Sequence, residues 1–489
     1  MPERVPSPSV QGARDLAAPG IRPRAARAGA SLLLSRGNGH RAALGSGLLP
    51  LLLMGLGLAG CASYTPLPLA KAPASAATLH KELAQALPQL PLRTQGIDFA
   101  KPLSGEAVAQ IAVLLNPDLR ALRKDNGVAE AQVFQAGLLP DPQISLAADF
   151  PSNGDGQLFT AYNIGLNWSI GSLFTRPLER RAAEDNARSV RYHVAWQEWL
   201  VAGQARLQAR SLYYLEKQEG IAQDAARLTG RVWEQSREEL ARGDLDLATA
   251  ALRRVAYVDS KDRALALARQ VTKAREQLLQ TLGLPPDARI ALAPPQLHEA
   301  IPSGAVLDAL AQKQRLDLAA LRAGYAAQDA RLRRAILGQY PGLSIGLTRA
   351  ADTSNVQTWG PNVSLSLPLF NANRGVIAEA EATRAKLHAE YSARLFQTRA
   401  DIHALVADLH RLRREIALLR EQVPALQAEA QRLGAALNEG NVTLLDYETL
   451  RSQALSKSLQ LASLEQSFAE QEVALELAVG SPWSTWKTP

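Results

Sequence analysis

Between Pro177 and Pro285 the chain has no proline, and between Pro368 and Pro482 it has one, Pro424. Proline removes a helical hydrogen bond and clashes with the preceding turn, so stretches this long without it are free to stay helical. Both are rich in Ala, Leu, Arg, Glu and Gln, which are strong helix formers. Each carries one Gly-centred break, LARGDLDLATA around Gly243 and LNEGNVTLLDY around Gly440. Glycine after a helical run accepts the left-handed backbone that ends it. Each stretch therefore reads as helix, tight turn, antiparallel helix. A helix over about 177–241 would be roughly 95 Å long, far longer than an ordinary domain is wide.

The second stretch has a regular apolar seam. Ile402, Leu405, Leu409, Leu412, Ile416, Leu419, Val423, Leu426, Ala430, Leu433 and Leu437 follow alternating three- and four-residue steps. That is coiled-coil periodicity, and Pro424 beside it predicts a kink. The first stretch shows a weaker version in Leu200, Leu207, Tyr214, Ile221 and Leu228.

A period of two precedes each long helix. PQISLAADF and TAYNIGLNWSI in the first half, and GLSIGLT and PNVSLSLPL in the second, alternate apolar residues with small or polar ones. One apolar and one small polar face over about 10 residues is the pattern of a membrane barrel strand. A soluble sandwich strand alternates in the same way. Four strands cannot close a barrel, and lipid does not tolerate an open edge. Strands that span a membrane here must be pooled between chains, and three chains give twelve. The halves match at an offset of about 197 to 201 residues, with Pro140 opposite Pro341 and Gly243 opposite Gly440. Each reads as helix, strand hairpin, long helix, turn, helix.

The N-terminal region has a different character. Arg36 and Arg41 precede an apolar run from Leu44 to Leu58, then GLGLAGC at 55–61. GxGxxG lacks its flanking strand and helix here, so a nucleotide loop does not fit. A basic region, a short apolar core and a small-residue site form a secretory signal peptide. Leu58-Ala59-Gly60-Cys61 resembles the bacterial lipobox, which implies cleavage before Cys61 and acylation there; Ala62 leans towards the outer membrane. Seven arginines against Glu3 and Asp15 give residues 1–60 a charge of +5, leaving +2 of the total +7 for the mature chain. That balance argues against nucleic-acid binding. Cys61 is the sole cysteine and Met1 and Met54 the only methionines, so the mature chain has no disulfide framework and no soft-metal ligands beyond Cys61. The histidines are scattered, with His403 and His410 on one helical face read as solvated surface and Trp196 and Trp199 as packing. No hydrolase or phosphate-loop motif occurs, so no catalytic residue, metal or cofactor is expected apart from the lipid on Cys61.

The order and duplication of these features resemble the TolC family of outer-membrane efflux ducts over about 104–482. The resemblance rests on Asn116-Pro117-Asp118-Leu119, Ala136-Gly137-Leu138-Leu139-Pro140-Asp141-Pro142 and Glu439-Gly440-Asn441-Val442-Thr443-Leu444-Leu445-Asp446. It implies a mainly α fold with a membrane β-hairpin pair: a homotrimeric twelve-stranded barrel joined to a long α-helical barrel in the periplasm. The organisation is then a signal peptide over 1–60, a lipidated tether over 61–103, and repeats over 104–295 and 296–483. By position in the family's motif, Val442 and Asp446 are ring residues of a periplasmic gate. Gly243, Asp244, Leu245, Gly440, Asn441, Val442 and Thr443 form tips that meet a membrane-fusion adaptor. An inner-membrane transporter, of the RND type, would supply the energy. Many members of the family carry Arg three residues after the gate Asp; here Thr449 stands there, Arg451 is the next basic residue, and Arg253 and Arg254 lie behind the first turn. A periplasmic helical-hairpin adaptor and a structural lipoprotein without a conduit are the competing readings.

Overall fold

The computed structural model describes residues 64–69, 101–152, 158–298 and 300–486. Cys61, the signal peptide and most of the tether lie outside them. The chain divides into two units, Met1–Ala72 and Pro73–Pro489. In the first, residues 64–69 are exposed and without regular structure.

The second unit is built twice from the same parts. Helices α1 (Gly105–Leu115), α2 (Pro117–Leu122) and α3 (Lys124–Gly137) lead into strands β1 (Gln143–Asp149) and β2 (Ala161–Ser169), then α4 (Gly171–Arg242) and α5 (Leu247–Leu282). The second copy runs α6 (Gly304–Gln314), α7 (Leu316–Leu337), β3 (Gly342–Ala351), β4 (Gln357–Ser366), α8 (Arg374–Asn438) and α9 (Leu444–Val479). Two cores show the duplication. Ala205, Leu212, Val271, Leu278 and Leu282 of the first recur 197 residues later as Ile402, Leu409, Phe468, Leu475 and Val479 of the second.

The first helix of each repeat is split, for different reasons in the two copies. Asn116 accepts from the Leu119 N–H at 3.0 Å and caps α2, whose first residue is Pro117. Its Nδ2 donates to the Thr281 carbonyl at 3.0 Å. At the equivalent corner the Arg315 guanidinium donates to the Ala478 carbonyl at 2.6 Å. Both corners therefore satisfy a carbonyl in the last turn of the returning helix, which helix geometry leaves open. Gly283 and Gly480 end those helices at φ 66° and 79°. A Cβ on Gly283 would stand 2.6 Å from the Leu115 carbonyl oxygen.

Helix α4 begins at Gly171, six residues ahead of the expected start, and passes through Pro177. Helix α8 likewise continues through Pro424. The predicted seam of α8 is the packed one. Ile402, Leu409, Ile416, Val423 and Ala430, spaced by seven, are all buried together with Leu419. In α4, Tyr214 and Leu228 are buried while Leu200, Leu207 and Ile221 are partly so.

The four strands form one antiparallel sheet in the order β1-β2-β3-β4. The register aligns Ile144, Leu166, Leu347 and Pro361 in one row and Leu146, Ile164, Arg349 and Trp359 in the next on the same face. The opposite face aligns Gln143, Asn167, Gly346 and Asn362, then Ser145, Gly165, Thr348 and Gly360. There Asn362 Nδ2 donates to Asn167 Oδ1 at 3.0 Å across Gly346, where any Cβ would collide with both side chains. Strand β4 starts at Gln357 and ends before Pro368, earlier at both ends than the alternation in PNVSLSLPL predicts. Pro361 lies within it, a residue tolerated in edge strands because it lacks an N–H. The Ile170 N–H donates to the Leu343 carbonyl at 3.0 Å, tying the start of α4 to the sheet. No helix among the described residues is long and apolar enough to cross a membrane.

Candidate functional site

The two hairpin turns are equivalent positions solved with different residues. Gly243 and Gly440 sit at φ 81° and 75°, where a side chain would be strained. In the first turn the Asp244 N–H reaches back to the Glu239 carbonyl at 2.9 Å, and in the second the Asn441 N–H reaches the Ala436 carbonyl at 2.9 Å. Arg242 Nε pairs with Asp244 at 3.1 Å, and the same two places in the second turn hold Glu439 accepting from Asn441 Nδ2 at 3.0 Å. Asp246 caps α5, accepting from the Thr249 N–H at 2.9 Å and from its hydroxyl at 2.6 Å. Thr443 caps α9, accepting from the Asp446 N–H at 3.2 Å and donating its hydroxyl to the Asp446 carboxylate at 2.6 Å. The Asp/Thr pair is thus the same cap written in opposite order. Hydrogen bonds from Thr249 hold the Asp246 carboxyl below its usual range.

Among the expected tip residues, Gly243, Asp244, Gly440, Asn441, Thr443 and Asp446 are exposed, and Leu245 and Val442 are partly buried. Leu247 and Leu445, one in each turn, are 73% and 60% exposed. Asp446 therefore has a structural duty as a cap partner, whatever else its carboxylate does.

Behind the tips the first hairpin carries its own charge cluster. Arg253 on α5 donates to the Ser236 hydroxyl at 2.8 Å and lies 3.7 Å from Glu239 on α4. Glu448 on α9 comes into this cluster: burial pushes its carboxyl up, Arg253 pulls it down and Glu239 pushes it up again. One Glu448 oxygen is buried without a hydrogen-bond partner. Neither Thr449 nor Arg451 makes a hydrogen bond or ion pair among the described residues.

The meeting of the two hairpins runs along α4 and α9. Arg206 pairs with Glu476 at 2.7 Å, Arg210 with Glu472 at 2.8 Å and Lys217 with Glu465 at 2.9 Å. Arg420 reaches the same Glu465 from α8 at 3.0 Å. Glu472 also accepts from the His298 N–H at 2.7 Å, and Glu476 from the Trp483 N–H at 2.7 Å. Buried among these, the Tyr214 hydroxyl is pushed far up by desolvation and then by Glu465. Trp196 and Trp199 lie under the Arg315 and Arg206 guanidiniums, at 4.8 and 5.3 Å, so packing describes them. His403 bonds Asp308 at 3.0 Å within the protomer, while His410 is exposed. No group of three or more His, Cys, Asp or Glu able to hold a metal occurs among the described residues.

Residues 307–481 match the family model described as "Outer membrane efflux protein". No curated protein sequence matches the chain. Among solved structures, the outer membrane protein VceC from Vibrio cholerae is similar at 16% identity over 77% of this chain and 96% of its own, with a TM-score of 0.62. The Campylobacter jejuni CmeC outer membrane channel is similar at 16% identity over 77% and 85%, with a TM-score of 0.65. The open state of the Neisseria gonorrhoeae MtrE outer membrane channel is similar at 17% identity over 77% and 89%, with a TM-score of 0.60. Residues 307–481 thus match an outer membrane efflux protein model, and the duplicated helix-and-hairpin fold is the one these outer-membrane channel structures have.

Proposed function

We propose that three copies of this chain form an outer-membrane efflux channel that passively conducts substrates outwards. The observation that carries this reading is the four-stranded sheet. Among the described residues nothing pairs with the outer edges of β1 or β4, and one face is apolar and well exposed, with Ile144 at 71%, Leu146 at 74% and Val363 at 67%. Unpaired edges are untenable in lipid, and twelve strands is an even number within the range of bacterial barrels. The Asn, Ser, Gly and Thr face then lines the pore. Aromatic residues at the two ends of the sheet, Phe159 and Trp359 by the loops and Phe174 and Tyr340 by the helices, fit the girdles of such barrels.

In this reading the helical hairpins extend into the periplasm and their tips meet a membrane-fusion adaptor. Leu247 and Leu445, apolar and exposed at equivalent turns, support a docking role for that end. An inner-membrane transporter of the RND type supplies the energy. Val442 and Asp446 form the gate ring. Acylated Cys61 anchors the chain in the outer membrane. An adaptor or a structural lipoprotein would need no second strand hairpin. Heat-resistant trimers and single-channel conductance in planar bilayers are expected of purified protein. A monomer without conductance would overturn the proposal.

A further inference from the structure

We infer that Arg349 binds a phosphate of an outer-leaflet glycolipid of the lipid A type; the inference rests on the barrel reading above. Every other residue in the rows of the apolar face is uncharged, from Leu343 and Leu365 at the helix end to Tyr162 and Gln357 at the loop end. Arg349 is the single exception, exposed, two residues from the loop end of β3. A cation facing lipid is costly at the bilayer midplane and tolerated near the interface. A distance of two residues is roughly 7 Å along a strand, which puts the guanidinium at headgroup depth on the outward side.

Its surroundings favour an anion. Trp359 stands directly across from it on β4 and is 80% exposed, the kind of ring that sits at the headgroup level. Arg349 Nη2 donates to Gln357 Oε1 at 3.1 Å, which orients the exposed guanidinium. No carboxylate lies within ion-pair distance among the described residues. In Asp352, the acid of the adjoining loop, Oδ1 accepts from the Ser354 and Val356 N–H groups, each at 2.9 Å, and Asp149 belongs to the opposite face. A guanidinium fork matches phosphate geometry, and the outer leaflet of an outer membrane supplies phosphate on a glycolipid.

The test is native mass spectrometry of full-length protein in mild detergent doped with equal amounts of lipid A, phosphatidylglycerol and phosphatidylcholine. Wild type is expected as a trimer retaining up to three lipid A molecules. Arg349→Gln should weaken that retention roughly tenfold, the effect of losing a charged hydrogen bond, while Arg349→Lys keeps most of it. Equal lipid A retention by wild-type and Arg349→Gln trimers overturns the inference and leaves the channel reading intact, as does phosphatidylglycerol held as tightly as lipid A. A wild-type monomer in the same spectrum overturns both.

Discussion

The Asp/Thr cap written in opposite order at the two turns allows the Asp446 carboxylate to be separated from its helix. Asp446→Ala removes a ring charge and a cap partner together, so by itself it cannot assign the gate. The double substitution Thr443→Asp with Asp446→Thr rebuilds at the second turn the arrangement seen at Asp246 and Thr249. Losing the Thr443 cap outright, as in Thr443→Ala, should cost about 1 kcal/mol per helix. The swap should stay within about 0.5 kcal/mol of wild type, because the cap survives in its other order. It nevertheless moves each carboxylate three residues, about 4.5 Å along the axis. A cation about 4 Å from a carboxylate gains about 1 kcal/mol in water. Displacing three carboxylates by that distance weakens the total by about 1 kcal/mol, roughly a fivefold change in cation preference. Reversal potentials in a potassium chloride gradient, read beside the dissociation temperature of the trimer, test this. A swap that leaves the reversal potential unchanged while Asp446→Ala shifts it would refute a gating role for the charge and leave the cap as the cause.

Glu472→Ala strips Arg210 and the His298 N–H of a partner whose side chain is only 2% exposed, and should cost about 3–5 kcal/mol in thermal unfolding; a loss under about 1 kcal/mol would contradict the ladder. Because burial raises the Glu448 carboxyl, the folded tip binds a proton that the unfolded chain releases. Tip stability is then greatest below the ordinary carboxylate range and falls as pH rises through the raised value, and protease sensitivity of the tip should lose that trend in Glu448→Gln. The depressed Asp246 carboxyl acts in the other direction: its contribution is present above the ordinary range, is lost as pH falls through the lowered value, and should vanish from the melting profile of Asp246→Asn. Cys61→Ser is expected to leave the protein in the membrane fraction after an alkaline wash, held by its barrel; release into the soluble periplasm would count against the barrel.

Local periodicity made much of the fold legible. The seven-residue spacing from Ile402 to Ala430 marks the buried line of α8, and the two-residue alternation marks all four strands. Both signals are repeated by neighbours in the chain, so a single sequence suffices. The boundaries read less well where one residue type has two uses. Pro177 and Pro361 look like punctuation, yet the first is accommodated inside α4 and the second in an edge strand. The glycine turns were visible, but their caps were not, because Asp246 and Thr443 become equivalent only once the helix starts are known. The Arg206–Glu476 and Arg210–Glu472 pairs join residues 270 and 262 positions apart. On their own helices these are ordinary surface charges, and nothing in the sequence near either partner announces the other. The Glu448 cluster was hidden for the same reason, since it draws on three helices.

The central claim is that three chains complete one sealed barrel, and the most direct measurement is the mass of the full-length protein in mild detergent together with its conductance in a planar bilayer. The account predicts a three-chain particle that opens discrete channels. A single chain that remains dissolved without detergent once its acyl group is removed, and that conducts nothing, would contradict it.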